Sequence, residues 1–256
     1  MDYYRQHYFS RYHEKLIPNR GHVNEYKHIL VFYTNRLYIN YTKMSASNNR
    51  ILTIYNSRTN ILALLSRTGF NTEEYEGFSI NEIDAMMANT QMDMLLSNTE
   101  TKRKAYVKYY FTEKQASRQI RPSTLNDIVD ELYYQEGVLE KADTLIIIID
   151  DEPNDSIKDR IRYLFDHDGV FVVLHNIKRL QFNLLEHSLV PEVSVLTEEE
   201  KEKVYKKYHI SNDLQLPEID RFDPMALALC LRPKQVCKIV RVSPTALEHY
   251  YYRICV

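Results

Sequence analysis

Three apolar segments that alternate with two helical ones constrain the fold of this chain more than any other feature. Segment 105–111 (AYVKYYF) is rich in β-formers, and segments 144–149 (TLIIII) and 170–174 (VFVVL) are continuously apolar. Short apolar runs with many β-branched residues are typical of strands buried on both faces. Segments 124–135 and 154–165, which lie between them, indicate helices. The alternation of strand and helix predicts an α/β layer.

Polar residues and a glycine set the ends of these two helices. Ser123 or Thr124 is suited to cap the first helix, and Asn154 or Asp155 the second. Their side-chain oxygens accept hydrogen bonds from backbone N–H groups that have no partner inside the helix. Gly169 should end the connection to the last strand, because glycine readily adopts the left-handed conformation found after helices.

Two further helices are predicted upstream. Residues 51–68 place apolar side chains at helical spacing, and Gly69 follows as a stop. Ser79 and Glu82 have the spacing of a capping box, so a second helix should run from there toward Leu95. Methionines lie at 86, 87, 92 and 94, and such flexible side chains more often fill gaps in a core than bind ligands.

Composition indicates a globular chain of one or two domains. The chain has 256 residues, of which 44% are hydrophobic, enough for one large core or two smaller ones. The uninterrupted apolar run at 145–149 is far shorter than the roughly 20 residues of a membrane-spanning helix. The first residues have no apolar core of the signal-peptide type. We therefore expect neither membrane contact nor export.

Charge is unevenly distributed, although the net charge is only -2. Between 71 and 100 there is no Lys or Arg, and acids stand at 73, 74, 76, 82, 84, 93 and 100. Between 101 and 121 the balance reverses, with Glu113 against Lys or Arg at 102, 103, 104, 108, 114, 118 and 121. The basic segment presents either a positive face to DNA or simply a differently solvated surface.

Residues 1–50 form a basic, tyrosine-rich N-terminal extension. Its segment 28–41 (HILVFYTNRLYINY) is dense in β-formers and has Thr34-Asn35 as a turn, which predicts a small hairpin. Aromatic and cationic side chains of this kind either stack on nucleic acid or pack against their own domain.

The three cysteines, Cys230, Cys237 and Cys255, indicate a reducing compartment. An odd number of widely spaced thiols does not suit a disulfide framework. With His249 they would supply four zinc ligands, but the close CxxC pairs of structural zinc sites are missing. Small buried thiols are the more common alternative.

The last third of the chain is predicted to form a second module. Pro191 closes the preceding domain, because proline continues neither a central strand nor a helix. Thr197 and Glu200 form another capping box, from which a charged helix runs to about Tyr208. The predicted divisions are an extension over 1–50, a domain over 51–185 and a module over 186–256.

Common phosphate-binding and catalytic motifs do not occur. The five glycines, at 21, 69, 77, 137 and 169, are too far apart for a GxGxxG or P-loop cradle, and there is no HExxH or GxSxG. Asp150, Asp151 and Glu152 follow the buried strand, where α/β folds hold divalent metals. With Lys108 beside the attacking water they would form a metal-dependent nuclease. The alternative is an acidic loop that only keeps the strand end soluble.

A second polar cluster lies where the helix after this strand begins. Its residues are Pro153, Asn154, Asp155, Ser156 and Lys158. Helix N-termini attract phosphate through their free N–H groups, and Ser, Asn and Lys donate to phosphate oxygens. The cluster is therefore a candidate phosphate contact, and the alternative is an ordinary capped helix.

The C-terminal region has the most specific pattern of the chain. In order, its parts are EHSLVPE, LTEEE, YHIS, LPEID, DPMA, LCLRPKQVCKIVR, SPTA and YYYRI. In identity and spacing, this pattern resembles the fifth subunit of eukaryotic RNA polymerases and the archaeal counterpart of that subunit, over residues 186–254. Region 51–185 resembles the N-terminal jaw of that family in the order of its elements. The family's jaw has a nuclease-like fold without nuclease activity.

The resemblance implies an α+β fold: an α/β jaw followed by a small α+β assembly module, with no catalytic residue, metal or cofactor. The module would dock on the largest polymerase subunit, with a small assembly subunit as a further partner. The jaw would face downstream double-stranded DNA during transcription. Loop 153–156, with Lys158, falls where the family has a proline-containing loop near DNA. The residues carried over to docking are Asp223, Pro224, Lys238, Arg241, Ser243, Thr245, Tyr252 and Arg253.

The chain also departs from the family. Cys230 and Lys234 replace glycines, so we expect the turn there to be rebuilt. Leu227 and Glu248 stand where the family usually has Arg, so the partner surface should differ at these positions. The extension over 1–50 and the richness in Asn, Ile and Tyr suggest a divergent homologue from a large DNA virus. The protein would then act in the nucleus if cellular, and in the virion or a cytoplasmic viral factory if viral. A free transcription-factor adaptor that uses the same C-terminal surface is a further alternative.

Overall fold

The computed structural model describes residues 49–111, 120–243 and 247–256, apart from the side chain of Ser243. The chain divides into two compact units, Met1–Arg50 and Ile51–Val256, and the fold described below is that of the second. The predicted hairpin at 28–41 lies outside the described residues. No helix in the described ranges is long and apolar enough to span a membrane.

A four-stranded sheet forms the centre of the first half of this unit. Its strands are β1 (Met94–Ser97), β2 (Lys104–Tyr109), β3 (Thr144–Ile149) and β4 (Phe171–Asn176). They lie in the order β1-β2-β3-β4. β2, β3 and β4 are parallel, whereas β1 is an antiparallel edge strand. The three predicted strands are confirmed, and β1 was not predicted.

Helices cover both faces of this sheet. They are α1 (described over 49–67), α2 (Ile80–Ala88), α3 (Pro122–Val129) and α4 (Asp155–Tyr163). α3 continues as a π-helix over Asp130–Gln135, and α4 continues as a π-helix over Leu164–Asp168. Short 3-10 helices occur at Glu73–Tyr75, Ile177–Gln181, Leu184–Glu186 and Asp213–Gln215.

The alternation of side chains along β3 explains its uninterrupted apolar sequence. Ile146 and Ile148 pack in the cluster that contains the buried side chains of α1 and α2. Leu145, Ile147 and Ile149 point to the opposite face and pack with α3 and α4. Successive side chains of a strand point to opposite faces, so a strand covered on both sides must be apolar at every position. The sheet is thus the middle of three layers.

A second four-stranded sheet forms the C-terminal module. Its elements are β5 (Glu192–Val195), α5 (Glu198–Tyr208), β6 (Glu218–Ile219), α6 (Pro224–Ala228), β7 (Val236–Ser243) and β8 (Leu247–Cys255). The strand order is β5-β7-β8-β6. The predicted capping box of Thr197 and Glu200 is present at the start of α5. The fold class is α+β, as predicted.

Local signals placed some helix ends wrongly. The capping box of Ser79 and Glu82 is present, but α2 ends at Ala88 instead of continuing toward Leu95. Thr90 has a positive φ of 56°, which turns the chain out of the helix and into β1. Buried Met92 and Met94 fill the core there, as expected of these side chains.

The predicted cap of α3 is wrong, whereas the predicted cap of α4 is confirmed. α3 begins just before the predicted cap, at Pro122, and neither Ser123 nor Thr124 caps it. Proline favours this first position because its fixed φ suits a helix and its missing N–H would have no helical partner. In α4 the cap is Asn154, whose side chain accepts a hydrogen bond from Ile157 N.

The two sheets share one hydrophobic core. Side chains of α6 and β7, including Leu227 and Ile239, belong to the same buried cluster as Ile146 and Ile148. Arg232, just before β7, donates to the carbonyl oxygens of Ala142 and Asp143 at the start of β3. The predicted division between 185 and 186 stays a prediction, and Ile51–Val256 is a single compact unit.

Gly69 is required after α1 for two separate reasons. Its φ is +89°, and an added Cβ would lie 2.9 Å from Asn98 Nδ2. We expect Gly69→Ala to lower the free energy of unfolding by about 2 kcal/mol or more, from backbone strain and this clash. Gly77→Ala is the matched control, because Gly77 has a φ of +81° but nothing within 4 Å of the added Cβ. Urea unfolding of both variants measures the difference, and equal losses would contradict the packing contribution.

Candidate subunit interface and nucleic-acid surface

The hairpin of β7 and β8 extends beyond the sheet that holds its base. The two strands pair without interruption from Val236 opposite Ile254 to Ser243 opposite Leu247. β5 pairs only with the Cys237–Val240 part of β7, and β6 only with the last residues of β8. The outer half of the hairpin therefore has large exposed apolar side chains, such as Val242 at 91% and Leu247 at 85% exposure.

Cationic side chains lie on aromatic rings along this hairpin. Lys238 Nζ is 4.2 Å from the ring centroid of Tyr250, and the Arg241 guanidinium carbon is 4.8 Å from that of Tyr251. The His249 and Tyr251 rings meet edge to face at 4.6 Å. Such contacts hold long side chains in place at the surface. Lys238 and Tyr250 lie on one face of the hairpin and Arg241 and Tyr251 on the other, so each face has ordered aromatic and basic groups.

The structure brings together only some of the predicted docking residues. Lys238, Arg241, Tyr252 and Arg253 lie on the hairpin, with Lys238 opposite Tyr252. Thr245 and the side chain of Ser243 lie outside the described residues.

Asp223 and Pro224 lie away from the hairpin, at the start of α6. The Asp223 side chain accepts a hydrogen bond from Met225 N at 2.8 Å, and Pro224 occupies the first helical turn. These two residues build α6 locally, and their predicted role in docking stays a prediction.

Sequence reasoning missed Val242, Leu247, Tyr250 and Tyr251 as surface residues. Apolar and aromatic residues in a strand normally predict burial. Their exposure follows from the length of the hairpin relative to its neighbouring strands, which is a tertiary property. The run of tyrosines at 250–252 is the one signal that the sequence offers.

The acids after β3 do not have the environment that a nuclease needs. Glu152 Oε1 accepts hydrogen bonds from Arg179 Nε at 2.9 Å and Asn176 Nδ2 at 3.2 Å. Lys108 Nζ lies 3.7 Å from both Asp93 and Glu131, so it pairs with other acids than those at 150–152. In the part of the chain that the structure describes, no three acidic, His or Cys side chains are grouped to hold a metal. The geometry required by the nuclease alternative is therefore not present there.

Loop 153–158 has a mixed rather than a basic surface. The Asn154 side chain is used to cap α4, and Lys158 Nζ lies 3.6 Å from Asp155. Ser156 is exposed at the first turn of the helix. A phosphate at this loop would meet one exposed hydroxyl and one cation that already has an acidic neighbour.

The basic segment that follows the acidic one is also partly neutralised. Lys108 has the two acidic partners just named, and Lys104 Nζ donates to the carbonyl oxygen of Val138 at 3.3 Å. Lys114 and Arg118 lie outside the described residues. The described part of this segment does not form the continuous positive face that charge counting suggested.

The cysteines behave as buried thiols. Cys237 and Cys255 are buried, Cys230 is half-buried, and all three are free. Burial raises the pKa of Cys230 and of Cys255 to about 12, so neither is a thiolate near neutral pH. His249, the fourth ligand of the zinc alternative, instead packs on Tyr251 in the exposed part of β8.

His175 links the two sheets and was missed by sequence reasoning. It lies on β4, is 4% exposed, and lines the same small cavity as Leu227 of α6, and its Nε2 has no hydrogen-bond partner among the described residues. Burial, assisted by the nearby positive charge of Arg179, lowers its pKa to about 4. Leu227 itself is buried, so at this position packing replaces the arginine that the resemblance led us to expect.

The turn before β7 retains the conformation that glycine would favour. Cys230 has a φ of 49° and Lys234 a φ of 69°. The expectation that this turn is rebuilt is therefore wrong. Lys234 N donates to Cys255 O at 2.8 Å, and Cys230 N donates to Leu227 O at 3.1 Å. These hydrogen bonds hold both residues in the left-handed region despite its cost for side chains with a Cβ.

Comparison with known proteins decides the family. The family described as "RNA polymerase Rpb5, C-terminal domain" matches residues 182–255. The DNA-directed RNA polymerase subunit Rpo5 of Thermococcus kodakarensis is 50% identical over 76 residues, which are 30% of this chain and 92% of that subunit. The chain belongs to the Rpb5 family of RNA polymerase subunits. Members of this family are components of the polymerase complex, and this chain is a non-catalytic subunit.

Two other relatives show how far the similarity extends. Rpo5 of Methanococcoides burtonii is 37% identical over 73 residues, which are 28% of this chain and 92% of that subunit. The subunit RPABC1 of RNA polymerases I, II and III in Caenorhabditis elegans is 46% identical over 77 residues, 30% of this chain but 36% of that protein. The Rpb5 similarity thus covers the C-terminal module. The assignment of 51–185 as a jaw, and the viral origin, stay predictions.

The buried His175 should make stability depend on pH. Its pKa is about 4 in the folded state and about 6.5 in an unfolded chain, so only the unfolded state gains a proton as pH falls from 6.5 to 4. We expect this residue to remove about 2 kcal/mol from the free energy of unfolding between pH 7 and pH 5. Urea unfolding at both pH values should show a smaller loss for His175→Gln than for the wild type. Exposed His249→Gln is the control, and equal losses in all three proteins would contradict the assignment.

Replacing Lys234 by glycine should stabilise the protein. Glycine relieves the left-handed backbone, and this gain exceeds the added entropy of the unfolded chain by about 0.5–1 kcal/mol. Lys234→Ala is the matched control, because it removes the same exposed side chain and keeps the Cβ. Thermal unfolding should place the glycine variant about 1–4 °C above the alanine variant. A glycine variant at or below alanine would contradict strain at this turn.

Proposed function

We propose that this Rpb5-family chain docks on the largest subunit of a multi-subunit DNA-dependent RNA polymerase through its β7–β8 hairpin. The observation that carries the proposal is the pairing of a cation with an exposed tyrosine on each face of the hairpin, half-buried Lys238 with Tyr250 on one face and Arg241 with Tyr251 on the other. Tyrosine and arginine are enriched at protein interfaces, and large contiguous exposed apolar patches are uncommon on free surfaces. Because the chain belongs to the Rpb5 family, the partner of such a surface would be another subunit of the polymerase complex.

The remaining docking residues extend this proposal. We propose that Asp223, Pro224, Ser243 and Thr245 also contribute to the interface, because they match the family pattern by position, and that a small assembly subunit is a neighbour. Glu248, which stands where the family has Arg, accepts a hydrogen bond from the Tyr250 hydroxyl at 3.2 Å. A partner group that meets an arginine in other family members would therefore meet a carboxylate here.

We further propose that the first sheet and its helices form a jaw near downstream double-stranded DNA. Ser156 and Lys158, with Pro153, Asn154 and Asp155, would contact the DNA backbone. Their mixed charge supports a weak, sequence-independent contact rather than base recognition. Subunits of this kind act in the nucleus of eukaryotes and in the cytoplasm of archaea, and this chain would act wherever its polymerase does.

Affinity purification from the native source tests the docking proposal. A tagged wild-type chain should recover the polymerase core at one copy per largest subunit, and the eluate should synthesise RNA. Arg241→Glu should lower the recovery of the largest subunit at least about tenfold, because it reverses a charge within the surface. Arg162→Glu, an exposed change on α4, is the matched control and should recover it normally. Undiminished recovery by Arg241→Glu would exclude this surface, and a wild-type chain without polymerase subunits would exclude the function.

Salt dependence tests the DNA contact. We expect Lys158→Gln to reduce the slope of log affinity against log salt concentration by about 0.9, the value for one phosphate contact in duplex DNA. Fluorescence anisotropy with a labelled duplex and the full chain measures this slope. Lys206→Gln, a change on the exposed face of α5, should leave the slope as in the wild type. An unchanged slope for Lys158→Gln would show that this lysine does not contact DNA.

A further inference from the structure

The main chain of β8 has one side that faces away from β7. Ile254 N donates to Pro217 O at 2.9 Å, on the side of β6, whereas Cys255 N donates to Gln235 O at 2.9 Å, on the side of β7. Backbone groups of successive residues in a strand point to alternate sides. The N–H and C=O groups of Tyr252, Tyr250 and Glu248 must therefore point the same way as those of Ile254, toward the outer edge.

No strand in the described ranges covers this outer edge. β6 is two residues long and ends opposite Cys255, with Glu218 opposite Ile254. The side chains from Leu247 to Tyr251 are exposed, including Tyr250 at 42%. An extended edge of this length, without proline or bulge, is a template for another strand.

At the edge of the first sheet, in contrast, a side chain covers main-chain groups of the edge strand β1. The hydroxyl of Tyr75 accepts a hydrogen bond from Leu95 N and donates one to Leu95 O, both at 3.2 Å. One tyrosine thus occupies the outward main-chain groups of Leu95, and Asn71 N donates to Ser97 O at the same edge. On β8 the tyrosine side chains instead lie under Lys238 and Arg241, which leaves the main chain open.

The charges beside this edge indicate what would bind it. β7 and β8 contain Lys238, Arg241 and Arg253, and their one acid is Glu248. A strand added to β8 would place its side chains among these cations on both faces of the hairpin. An acidic segment fits this environment, whereas a basic one would be repelled.

We propose that an extended, acidic segment of the largest polymerase subunit adds as a strand to the outer edge of β8, between Glu248 and Tyr252. This inference rests on the proposed function and specifies how docking occurs. Recognition would be through main-chain hydrogen bonds, with side chains selecting acidic residues. Docking through the side chains of the hairpin does not require an added strand. Docking and strand addition can therefore be tested separately.

Two substitutions at one position separate main-chain from side-chain recognition. Tyr250→Pro removes an N–H that points outward, so the pairing with β7 stays intact and proline is tolerated at such an edge position. Tyr250→Ala removes the ring and retains the N–H. We expect Tyr250→Pro to weaken binding to the co-expressed largest subunit about tenfold more than Tyr250→Ala, because it leaves a partner carbonyl unsatisfied. Circular dichroism and thermal unfolding of the full chain check that both variants are folded.

Hydrogen exchange of the wild-type chain gives an answer that needs no variant. Amides of His249 and Tyr251 face β7 and should be slow to exchange in the free chain and in the complex. Amides of Glu248, Tyr250 and Tyr252 should exchange fast in the free chain and become slow in the complex. Fragmentation to single residues resolves this alternation.

The outcomes distinguish the inference from the function on which it rests. Equal weakening by the two Tyr250 variants, or no added protection of the three outward amides, would overturn strand addition while docking stands. A wild-type dimer that Tyr250→Pro converts to a monomer would identify a second copy as the occupant and also overturn it. If the wild type recovers no polymerase subunit, both the function and the inference fall. If binding of the wild-type chain to the largest subunit also weakens as salt is added, this result supports an acidic partner segment.

Discussion

The contact of Arg232 with the start of β3 is the interaction on which the arrangement of the two sheets depends. Its guanidinium donates to Asp143 O at 2.7 Å and Thr144 Oγ1 at 3.2 Å, and lies 4.7 Å from the ring centroid of Phe171. The carboxylate of Asp143 in turn accepts a hydrogen bond from Lys104 N at the start of β2. One nitrogen of the guanidinium, Nη2, contacts oxygens of three successive residues, 142–144, while the planar group lies on the Phe171 ring, a combination that suits arginine better than the compact, strongly hydrated ammonium of lysine. One residue of the C-terminal module thereby orders the ends of two strands of the other sheet.

The continuous core makes this connection rigid. His175 of β4 and Leu227 of α6 are both buried and line the same small cavity, and Leu227 belongs to the same buried cluster as Ile146 and Ile148 of β3. The hairpin is therefore fixed relative to the first sheet. If it docks on the polymerase as proposed, the position of the jaw follows from the same docking contact. A subunit that has no chemistry of its own can in this way determine where a second surface lies.

The same types of residue are exposed on the hairpin and buried in the core. Ile239 is buried because β5 and the shared core cover it, while Val242, three residues later, lies beyond the end of β5, pairs only with β8 and is exposed. The amino acids of β7 do not differ enough to show this change. The change from buried to exposed follows instead from the lengths of β5 and β6, because both strands end where the exposed part of the hairpin begins. The open edge of β8 has the same origin.

The sequence by itself determined the three parallel strands, the helices between them, and the family. Continuous apolar runs can be buried only inside a covered sheet, and capping boxes such as those at Ser79 and Thr197 are local hydrogen-bond patterns. It misplaced the end of α2 and missed β1, because a positive φ at Thr90 and an edge strand's pairing are not periodic signals.

Only the tertiary structure decided the pairing of Lys108, the roles of Arg232 and His175, and the exposed edge of β8. Each depends on contacts between residues far apart in the chain. Lys108 is an example. From the sequence it was a candidate for DNA contact and for a nuclease site, but in the folded protein it pairs with Asp93 and Glu131. Local sequence fixes what a segment can form, whereas the partner that a side chain or a strand edge meets is set by packing across the whole unit.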